Sequence, residues 1–471
     1  MAMDYDSSLP SKDLKLSEKF YRAVWRWHFY AGLYVIPFLC MLAVTGLIML
    51  WAGVIDGREG EKAYTVAPAG GAVPISNQAD AALFSIPGGV LKQYIGPLGS
   101  DGAALFRVDL QGEALMVAVN PYDASVLGSW SRRAGWYDLA NDIHGTLLIG
   151  DAGDRLIEIA AGLGMVLIVT GLYLWWPRSS TRLADVLIPN LRLSGRPLWK
   201  SLHQSIGFYI SALLIIFFLS GLSWSGIWGE RFIQAWSTFP AEKWDKVPLS
   251  DDIHASMNHG AMKDVPWALE QTAMPESGSD AGITGLAPGT PINIDTVVAF
   301  GYALGMGDRR FQVNLPQGKE GVWTLSQDSM SNDTTSPTSD RTVHVDQHTG
   351  KILADVKYED YSLGGKAMAV SIAFHEGDMG IWNIALNTIF CLSVIFVSVS
   401  GVIMWWMRRP AKAGRLVAPP APVDMPLWKG AICIGLALCL AFPLVGVALL
   451  ILLALDVLVL QNIPVLKKAF S

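Results

Sequence analysis

The sequence predicts a mainly α membrane protein with five transmembrane helices: a pseudo-two-fold four-helix core plus one C-terminal helix, with two small α+β domains outside the membrane. Three observations support this fold class. Apolar residues make up 51% of the 471 residues and charged residues only 16%. Several apolar runs reach the ~20 residues that a spanning helix needs. The first half of the chain also resembles the second. The net charge of −6 gives no reason to expect nucleic-acid binding.

Five apolar spans can be recognised, at about 29–51, 156–176, 206–228, 382–406 and 430–455. Tryptophans stand at several of their ends, as in an interfacial aromatic belt. A polar stretch precedes the first span and no cleavage pattern follows it, so it is expected to remain as an anchor. Pro443 lies within the last span, where one kinked helix fits the membrane thickness better than a hairpin, although both stay open.

Basic residues predict the orientation. They cluster before the first span, between the second and third, and between the fourth and fifth. The positive-inside rule makes these segments cytoplasmic, so the protein is expected in a bacterial inner membrane, in contact with membrane lipid, with a cytoplasmic N-terminus and two large periplasmic domains. The predicted divisions are 1–52, 53–143 (periplasmic), 144–228, 229–374 (periplasmic), 375–409 and 410–471.

The first and third spans begin with the same pattern. His28 is followed by a set of residues that recurs at the same offsets after His203, with serine in place of one threonine. The two sets are Gly32, Tyr34, Thr45, Gly46 and Leu47, and Gly207, Tyr209, Ser220, Gly221 and Leu222. Shared hydrophobicity alone does not explain such coincidences, so the pattern indicates an internal repeat.

The repeat continues through the other segments. Thr170-Gly171 and Ser400-Gly401 are each followed by a tryptophan pair and arginine, with His144 and His375 upstream, one residue out of register. Outside the spans, 117–128 resembles 343–354, and both predict strand, turn, strand. A helix is predicted at 294–304 and strands at 310–315 and 322–327, whereas 231–290 is expected to be mostly loop with some helix.

Four histidines flank spans at repeat-matched places: His28, His203, His144 and His375. The first two enter from the predicted cytoplasmic side and the other two from the predicted periplasmic side. Two neutral imidazoles that face each other suit the axial positions of a haem iron, so the sequence predicts one haem near each face. A histidine at a helix end is also a common interfacial cap, and this alternative stays open for each residue.

Glycines are expected to leave room for a planar macrocycle. Gly32, Gly207, Gly46 and Gly221 lie on the faces of their helices that carry the histidines, and Gly171 and Gly401 end the return helices beside the first histidine pair. A separation of 18 residues, as between His28 and Gly46, is five turns or about 27 Å of helix, so each haem is expected to be held by histidines of one helix pair and faced by glycines of the other. A single helix from His144 to Gly171 would be longer than the membrane is thick. The GDAGD run at 150–154 is therefore expected to break the helix.

Other polar residues have two open interpretations. Arg132, Arg133, Arg178 and Arg408 are candidate partners of haem propionates, or solvated interface residues. Ligands suited to a soft metal ion cluster at His254, Met257, His259 and Met262, although a polar loop is the favoured interpretation. His344 and His348 are expected at the surface, because the first copy has Ala118 and Tyr122 at their places.

Together these motifs resemble the PepSY-associated membrane proteins, which include iron-regulated membrane proteins and siderophore-iron reductases. The resemblance rests on the HxxxGxY helix starts, the strand–turn–strand motif and the TGLYLWWPR and SGVIMWWMRRP helix ends, and covers about 20–460. It implies PepSY-like periplasmic domains and, in the reductase members, haem b on membrane histidines. Here that role falls on His28, His144, His203 and His375.

The function expected is transmembrane electron transfer to a periplasmic acceptor, with ferric iron in a siderophore as the acceptor. The cytoplasmic segments are too short for a flavin or nicotinamide domain, so the donor is a quinol or a separate reductase. One alternative is a non-redox PepSY binding or regulatory protein. The other is an iron-chelate transporter, which the near absence of ionisable residues within the spans disfavours.

Overall fold

The computed structural model describes residues 16–177, 184–234, 239, 241–244, 246–258, 264–307, 309–410, 416–419 and 429–455. The helices of these residues are, in chain order, α1 Leu16–Ile55, α2 Ile75–Ser85, α3 Trp136–Thr146, α4 Asp151–Trp175, α5 Ala184–Leu187, α6 Gly195–Leu222, α7 Ile294–Gly301, α8 Leu363–Glu376, α9 Ile381–Arg408, α10 Lys429–Ala441 and α11 Pro443–Leu455.

Four helices, α1, α4, α6 and α9, are long and apolar enough to cross a membrane. Helices α1 and α9 contain the first and fourth predicted spans, and α4 covers all but the last residue of the second. Helix α6 covers the third span only as far as Leu222, six residues before its predicted end. The shortest of them, α4, has 25 residues and is therefore about 38 Å long, more than the ~30 Å of hydrocarbon that it has to cross. The protein is thus a membrane protein with several apolar helices.

The last predicted span is sharply bent. Helices α10 and α11 make an angle of 119° at Phe442. Pro443 opens α11, a position that its missing N–H and fixed φ favour. The Trp228 indole donates a hydrogen bond of 2.8 Å to the Ala441 carbonyl and its ring stacks on Phe442. A gently kinked fifth helix is therefore not what forms, and the pair counts as a fifth span only if both halves are taken together.

The chain divides into two compact units. Of the described residues, the helical unit comprises those up to Val44, those within Ile149–Gly229 and those from Thr388 onward. The sheet unit comprises Thr45–Leu148 and Glu230–Asn387. The long helices α1 and α9 continue from one unit into the other.

Within the helical unit, α4 packs closely on its neighbours through glycines. A Cβ atom at Gly164 would collide with the Phe218 ring of α6, and one at Gly162 would collide with Val445 of α11. Small residues allow this close approach of helix backbones in membranes. Such packing needs no polar side chain, in agreement with the apolar composition of the spans.

The strands of the sheet unit are β1 Val90–Ile95, β2 Ala104–Leu110, β3 Glu113–Val119, β4 Val126–Ser131, β5 Leu249–Ile253, β6 Ala273–Pro275, β7 Gln312–Asn314, β8 Val322–Gln327, β9 Arg341–Asp346 and β10 Ile352–Lys357. Strands β5 and β6 form a separate hairpin-like pair. The other eight form one sheet in the order β10-β9-β8-β7-β1-β2-β3-β4, with antiparallel neighbours.

Each predicted domain contributes four strands to this sheet and one helix that covers it. The two copies of the repeat therefore share a single sheet. The join is the antiparallel pairing of β1 with β7, in which Tyr94 lies opposite Val313. The four-stranded sheet of each copy has an edge with unpaired backbone groups, and pairing the two edges satisfies both. His144 and His375 lie near the ends of α3 and α8, and the membrane helices α4 and α9 begin several residues later, at Asp151 and Ile381.

The predicted strand–turn–strand motif is confirmed in both copies, with matching hydrogen bonds. The Asn120 side chain accepts a hydrogen bond from the Tyr122 amide, and the Asp346 carboxylate accepts one from the His348 amide. Four residues after Asn120 and Asp346 the backbone is left-handed, with φ of 59° at Ala124 and 68° at Gly350. The two turns therefore have the same shape despite different sequences.

The two faces of the sheet differ. Helices α2 and α7 cover one face, and its core includes the fully buried Phe106, Val297 and Leu325. The opposite face of the second copy carries Thr324, Thr342 and His344, all buried. Apolar residues lie beside these three on the same face, and the chain between α6 and α7 covers them. It does so with apolar side chains of its own, which include Trp244 and Leu269. This segment has the loops and short helical turns that were expected, plus β5 and β6.

Candidate functional site

His28 lies on α1 within the helical unit, against the last turns of α4. Its Nδ1 atom is 2.9 Å from the Thr170 hydroxyl oxygen. The single hydroxyl proton of Thr170 is directed to carbonyls of its own helix, at 2.6 Å from Val166 and 3.2 Å from Leu167. The Thr170 oxygen therefore accepts from His28, and the imidazole proton is on Nδ1.

His203 on α6 has the same environment against α9. Its Nδ1 atom is 2.8 Å from the Ser400 hydroxyl and 3.1 Å from the Val397 carbonyl. A carbonyl oxygen only accepts, so the proton of His203 is also on Nδ1. In both histidines the lone pair is then on Nε2, the tautomer that a metal ligand needs when its other nitrogen is hydrogen-bonded.

The glycine after each hydroxyl residue makes this contact possible. A Cβ atom at Gly171 would lie 3.3 Å from His28 Cε1, and one at Gly401 would lie 3.7 Å from His203 Cε1. A larger side chain would push the helix away from the imidazole and stretch the hydrogen bond. The Thr/Ser-Gly pair is thus one element, in which the hydroxyl accepts and the glycine provides the space.

His144 in the sheet unit has a third copy of this arrangement. The Thr45 hydroxyl oxygen is 2.8 Å from His144 Nδ1, and a Cβ atom at Gly46 would lie 3.8 Å from His144 Cε1. The His144 and His375 rings are neighbours, with centres 6.4 Å apart and planes at 77°. The structure therefore brings together the second histidine pair that the repeat predicts.

Short breaks in the chain place His144 and His375. Helix α3 ends two residues after His144 and α4 begins at Asp151, with positive φ at Leu147, Leu148 and Gly150 between them. The expected helix break is therefore present, but it lies at 147–150 and shares only Gly150 with the predicted GDAGD run. In the second copy, α8 ends just after His375, and Gly377 and Gly380 make the corresponding turn before α9.

Two asparagines of α9 hold the end of α8. The Asn387 side-chain amide donates to the carbonyls of Phe374 at 2.8 Å and His375 at 3.0 Å. The Asn383 amide donates to the Phe374 carbonyl as well, at 2.9 Å. Both side chains are buried, so they fix the backbone of His375.

The remaining predicted glycines are less informative. A Cβ atom at Gly32 would touch Leu167 and Ile36 at 3.9 Å, and one at Gly207 would meet nothing within 4 Å. Gly221 follows Ser220 in the fourth copy of the Thr/Ser-Gly pair, and the Ser220 hydroxyl donates to the Ile216 carbonyl at 2.8 Å. The role of these glycines in making room for a macrocycle stays a prediction.

The candidate arginines differ from one another. Arg132 is buried and bound to two carboxylates, Glu59 at 2.7 Å and Asp264 at 3.2 Å, so it is neither a solvated residue nor an uncommitted cation. Burial alone would raise the pKa of Glu59, but the Arg132 guanidinium holds it below its ordinary value.

Arg133 forms an ion pair with Asp138 at 3.5 Å. Arg408 lies over the Trp25 ring, 4.9 Å from its centre, and donates to the Val417 carbonyl. Arg178 lies outside the described residues.

Sequence reasoning missed three features. The first is the role of the Thr45, Thr170 and Ser400 hydroxyls as partners of the histidines, because the sequence showed these residues only as matching positions of the repeat. The signal that could have indicated this role is that each of them stands directly before a glycine. The expectation for His344 was wrong, because its side chain is fully buried against His254, which is also buried rather than exposed in a polar loop. His348 is exposed as expected, whereas His259 and Met262 lie outside the described residues. Among the described residues, no three His, Cys, Asp or Glu side chains are grouped as a metal site.

Comparison with known proteins identifies the family. Residues 25–408 match the model of the PepSY-associated TM region. No curated protein matches the chain in sequence. The match covers well over half of the chain and includes both copies of the repeat with all four histidines. The chain therefore belongs to the PepSY-associated transmembrane family.

Proposed function

We propose that this protein is a haem-containing electron-transfer protein of a bacterial inner membrane, with His28 and His203 as ligands of one haem b and His144 and His375 as ligands of a second. The observation that carries the proposal is the imidazole tautomer. Hydroxyl or carbonyl acceptors hold the Nδ1 proton of His28 and His203, which leaves Nε2 to bind iron.

The second pair would hold the other haem, because its two imidazoles are neighbours. The ring centres of His144 and His375 are 6.4 Å apart. Bound haem supplies one-electron chemistry at each place. The protein orients the imidazoles, and the hydroxyl acceptors increase the electron density on the ligand nitrogens.

The direction of transfer follows from the proposed orientation. Basic residues stand at the starts of α1 and α6 and at the end of α9, for example Arg26, Arg196 and Arg409. The positive-inside rule assigns these ends to the cytoplasm and the sheet to the periplasm. Electrons then pass from a quinol or a separate reductase to a periplasmic acceptor, for which ferric iron in a siderophore is the proposed substrate. Reduction weakens the hold of hard oxygen ligands on iron.

A visible spectrum of the full-length protein, purified in detergent after expression with added haem, tests the proposal. We expect a b-type Soret band that shifts on reduction and two haem equivalents per chain. His28→Leu and His203→Leu should each remove one equivalent, and His144→Leu and His375→Leu the other. His348→Gln, a change at an exposed histidine, is the matched control and should leave both.

Other results would favour other functions. If the folded protein has no Soret band, the redox proposal fails and a binding or regulatory role is the better interpretation. If ferric-siderophore uptake into vesicles proceeds without reduction, the chelate-transporter interpretation replaces it. If haem is bound but ferric siderophore does not reoxidise it, the acceptor assignment alone is wrong.

A further inference from the structure

His254 and His344 form a buried pair apart from the proposed haem ligands. His254 opens the short helical turn His254–Met257 in the chain that covers the sheet, and His344 lies within β9. Both side chains are completely buried, and their Nε2 atoms are 3.0 Å apart. Residues 90 positions apart in sequence thus aim the same ring nitrogen at one point.

The outer nitrogens of the pair have protein partners. His254 Nδ1 is 2.7 Å from the Thr272 carbonyl, which only accepts, so its proton is on Nδ1 and the lone pair is on Nε2. The contact between the two Nε2 atoms then requires a proton on His344 Nε2. Its Nδ1 atom accepts a hydrogen bond of 3.0 Å from the Thr324 hydroxyl.

Both imidazoles are neutral at neutral pH. Burial lowers the pKa of His254 to about 4. Burial, and then the neighbouring His254, hold the pKa of His344 well below its ordinary value. Neutral imidazole is the form that binds metal ions, so no proton has to be removed from the pair for a metal ion to bind.

Met257 is the candidate for a soft third ligand: it lies on the same short helical turn as His254, and its sulfur is 4.0 Å from the side-chain nitrogen of Asn314. Met257 follows His254 by three residues in a turn with three residues per turn, so the two side chains project from the same side. Both line a cavity of about 10 Å³, which is about the space for one small sphere. The charged residues of this lining are already paired, Asp264 with Arg132 and Arg107 with Asp109.

We propose that His254 Nε2, His344 Nε2 and the Met257 sulfur form a binding site for a soft monovalent cation, Cu(I). The ligand set is neutral and has nitrogen and thioether donors, which favour Cu(I) over hard cations that need carboxylates. On binding, His344 changes tautomer: the cation takes the place of the Nε2 proton, one proton is carried on Nδ1, and the Thr324 hydroxyl turns its own proton away so that its oxygen accepts from Nδ1. The two outer nitrogens are then both hydrogen-bonded, as in well-formed metal sites.

The geometry requires only a small adjustment. Two metal–nitrogen bonds of about 2 Å reach at most about 4 Å between the nitrogens. The present separation of 3.0 Å therefore widens by 1 Å or less, toward the adjoining cavity. The Trp244 ring lies 5.5 Å from the His254 ring and 5.9 Å from the His344 ring, so its fluorescence reports on the site.

The test is an anaerobic titration of the purified, haem-loaded, full-length protein with Cu(I) in the presence of a coloured Cu(I) chelator. We expect one equivalent that competes with the chelator, and quenching of tryptophan fluorescence that Trp244→Phe reduces. His254→Gln and His344→Gln should weaken binding at least 100-fold and Met257→Leu about tenfold. His348→Gln, an exposed histidine, is the control and should bind as the unchanged protein does.

Met257→Leu separates binding from folding, because it keeps the histidine pair and the volume of the side chain. X-ray absorption of the copper-loaded protein should show two nitrogen donors and one sulfur donor, and no sulfur donor in Met257→Leu. The proposal is overturned if no equivalent competes with the chelator, or if a His254→Gln/His344→Gln double variant still binds one. Loss of the haem spectrum on copper addition would also overturn it, since the copper would then occupy the membrane histidines.

Discussion

The two copies of the repeat agree in the helical unit and diverge in the sheet unit. In the helices, His28 with Thr170 and Gly171 has the same contacts as His203 with Ser400 and Gly401. In the sheet, matching positions carry different residues. His344 stands in the place of Ala118, and Tyr358 in the place of Arg132, although the strands on either side of the two turns pair in the same register.

This difference separates what the repeat needs from what each copy has added. The hydrogen-bonded histidine is common to both halves, so we expect the proposed function of the doubled structure to depend on it. The ion pairs of Arg132 with Glu59 and Asp264, and the buried histidine pair His254–His344, are specialisations that the matching positions do not repeat. Each can be changed without touching the common element, which makes the comparison testable.

The largest effect is expected at Arg132. In Arg132→Met the carboxylates of Glu59 and Asp264 stay buried without their partner, and the loss should be about 3–5 kcal/mol in the free energy of unfolding. Hydrogen exchange of the sheet strands in the full-length protein measures it. Tyr358→Phe at the matched position removes one long hydrogen bond of 3.4 Å and should cost less than about 1 kcal/mol.

The cost of Arg132→Met should also depend on pH. Arg132 holds the pKa of Glu59 below its ordinary value of 4.5, so the stabilisation is complete above that pH and is lost as the pH falls through the lowered pKa. The difference between the parent protein and Arg132→Met should therefore shrink toward acid pH. A difference that stays constant from pH 7 to pH 3 would show that Glu59 is not the partner that matters.

The next largest loss of stability is expected when each of positions 118 and 344 receives the residue of the other. Ala118→His places an imidazole in a fully buried site filled by its neighbours, at a cost of about 1–3 kcal/mol. His344→Ala leaves His254 Nε2 without its donor, at a similar cost. Thermal unfolding of each variant checks this expectation, and a neutral Ala118→His would show that the first copy has room that the packing does not reveal.

Smaller effects are expected at the hydroxyls that hold the membrane histidines. Thr170→Val removes the hydrogen-bond acceptor of His28, and loss of such a partner typically reduces metal affinity 10–100-fold. Ser400→Ala should cost less, because His203 keeps the Val397 carbonyl at 3.1 Å. The two variants are compared by the rate at which each loses haem to an excess of apomyoglobin. Equal rates would argue against a role of the Val397 carbonyl.

The smallest effects should follow the distances at the glycines. Gly171→Ala places a methyl group 3.3 Å from the His28 ring, which is tight, whereas Gly401→Ala places one at 3.7 Å from His203. Gly207→Ala, with nothing within 4 Å, is the control. A shift of the reduced haem spectrum should be visible for Gly171→Ala and smaller for Gly401→Ala. A larger shift for Gly207→Ala would place the macrocycle against that helix face.

Features that depend on local pattern were predictable from the sequence. The four spans, the break after His144 and both strand–turn–strand motifs follow from apolar length and turn residues. The histidine repeat predicted which imidazoles pair, and His144 and His375 are indeed neighbours. The bend at Phe442 was less predictable, because proline predicts a kink but the angle depends on packing against Trp228.

Features that depend on long-range packing were not predictable. His344 lies in a strand with an alternating pattern, and whether its polar face is exposed depends on what covers it. Here the chain between α6 and α7 covers that face, and its irregular sequence gives no periodic signal. The joining of the two copies into one sheet was equally hidden, since the pairing of β1 with β7 leaves no mark in either strand alone.

The β1–β7 pairing has a consequence for how the protein is made. Gln93 and Asn314 are partners separated by more than 200 residues, so the centre of the sheet forms by a contact of very high sequence separation. Such contacts fold slowly. During synthesis from the N-terminus, the first four strands are complete long before β7 exists, and β1 is exposed as a free edge. A free edge is prone to aggregation, so this stage of biogenesis is where we expect the chain to depend on chaperones.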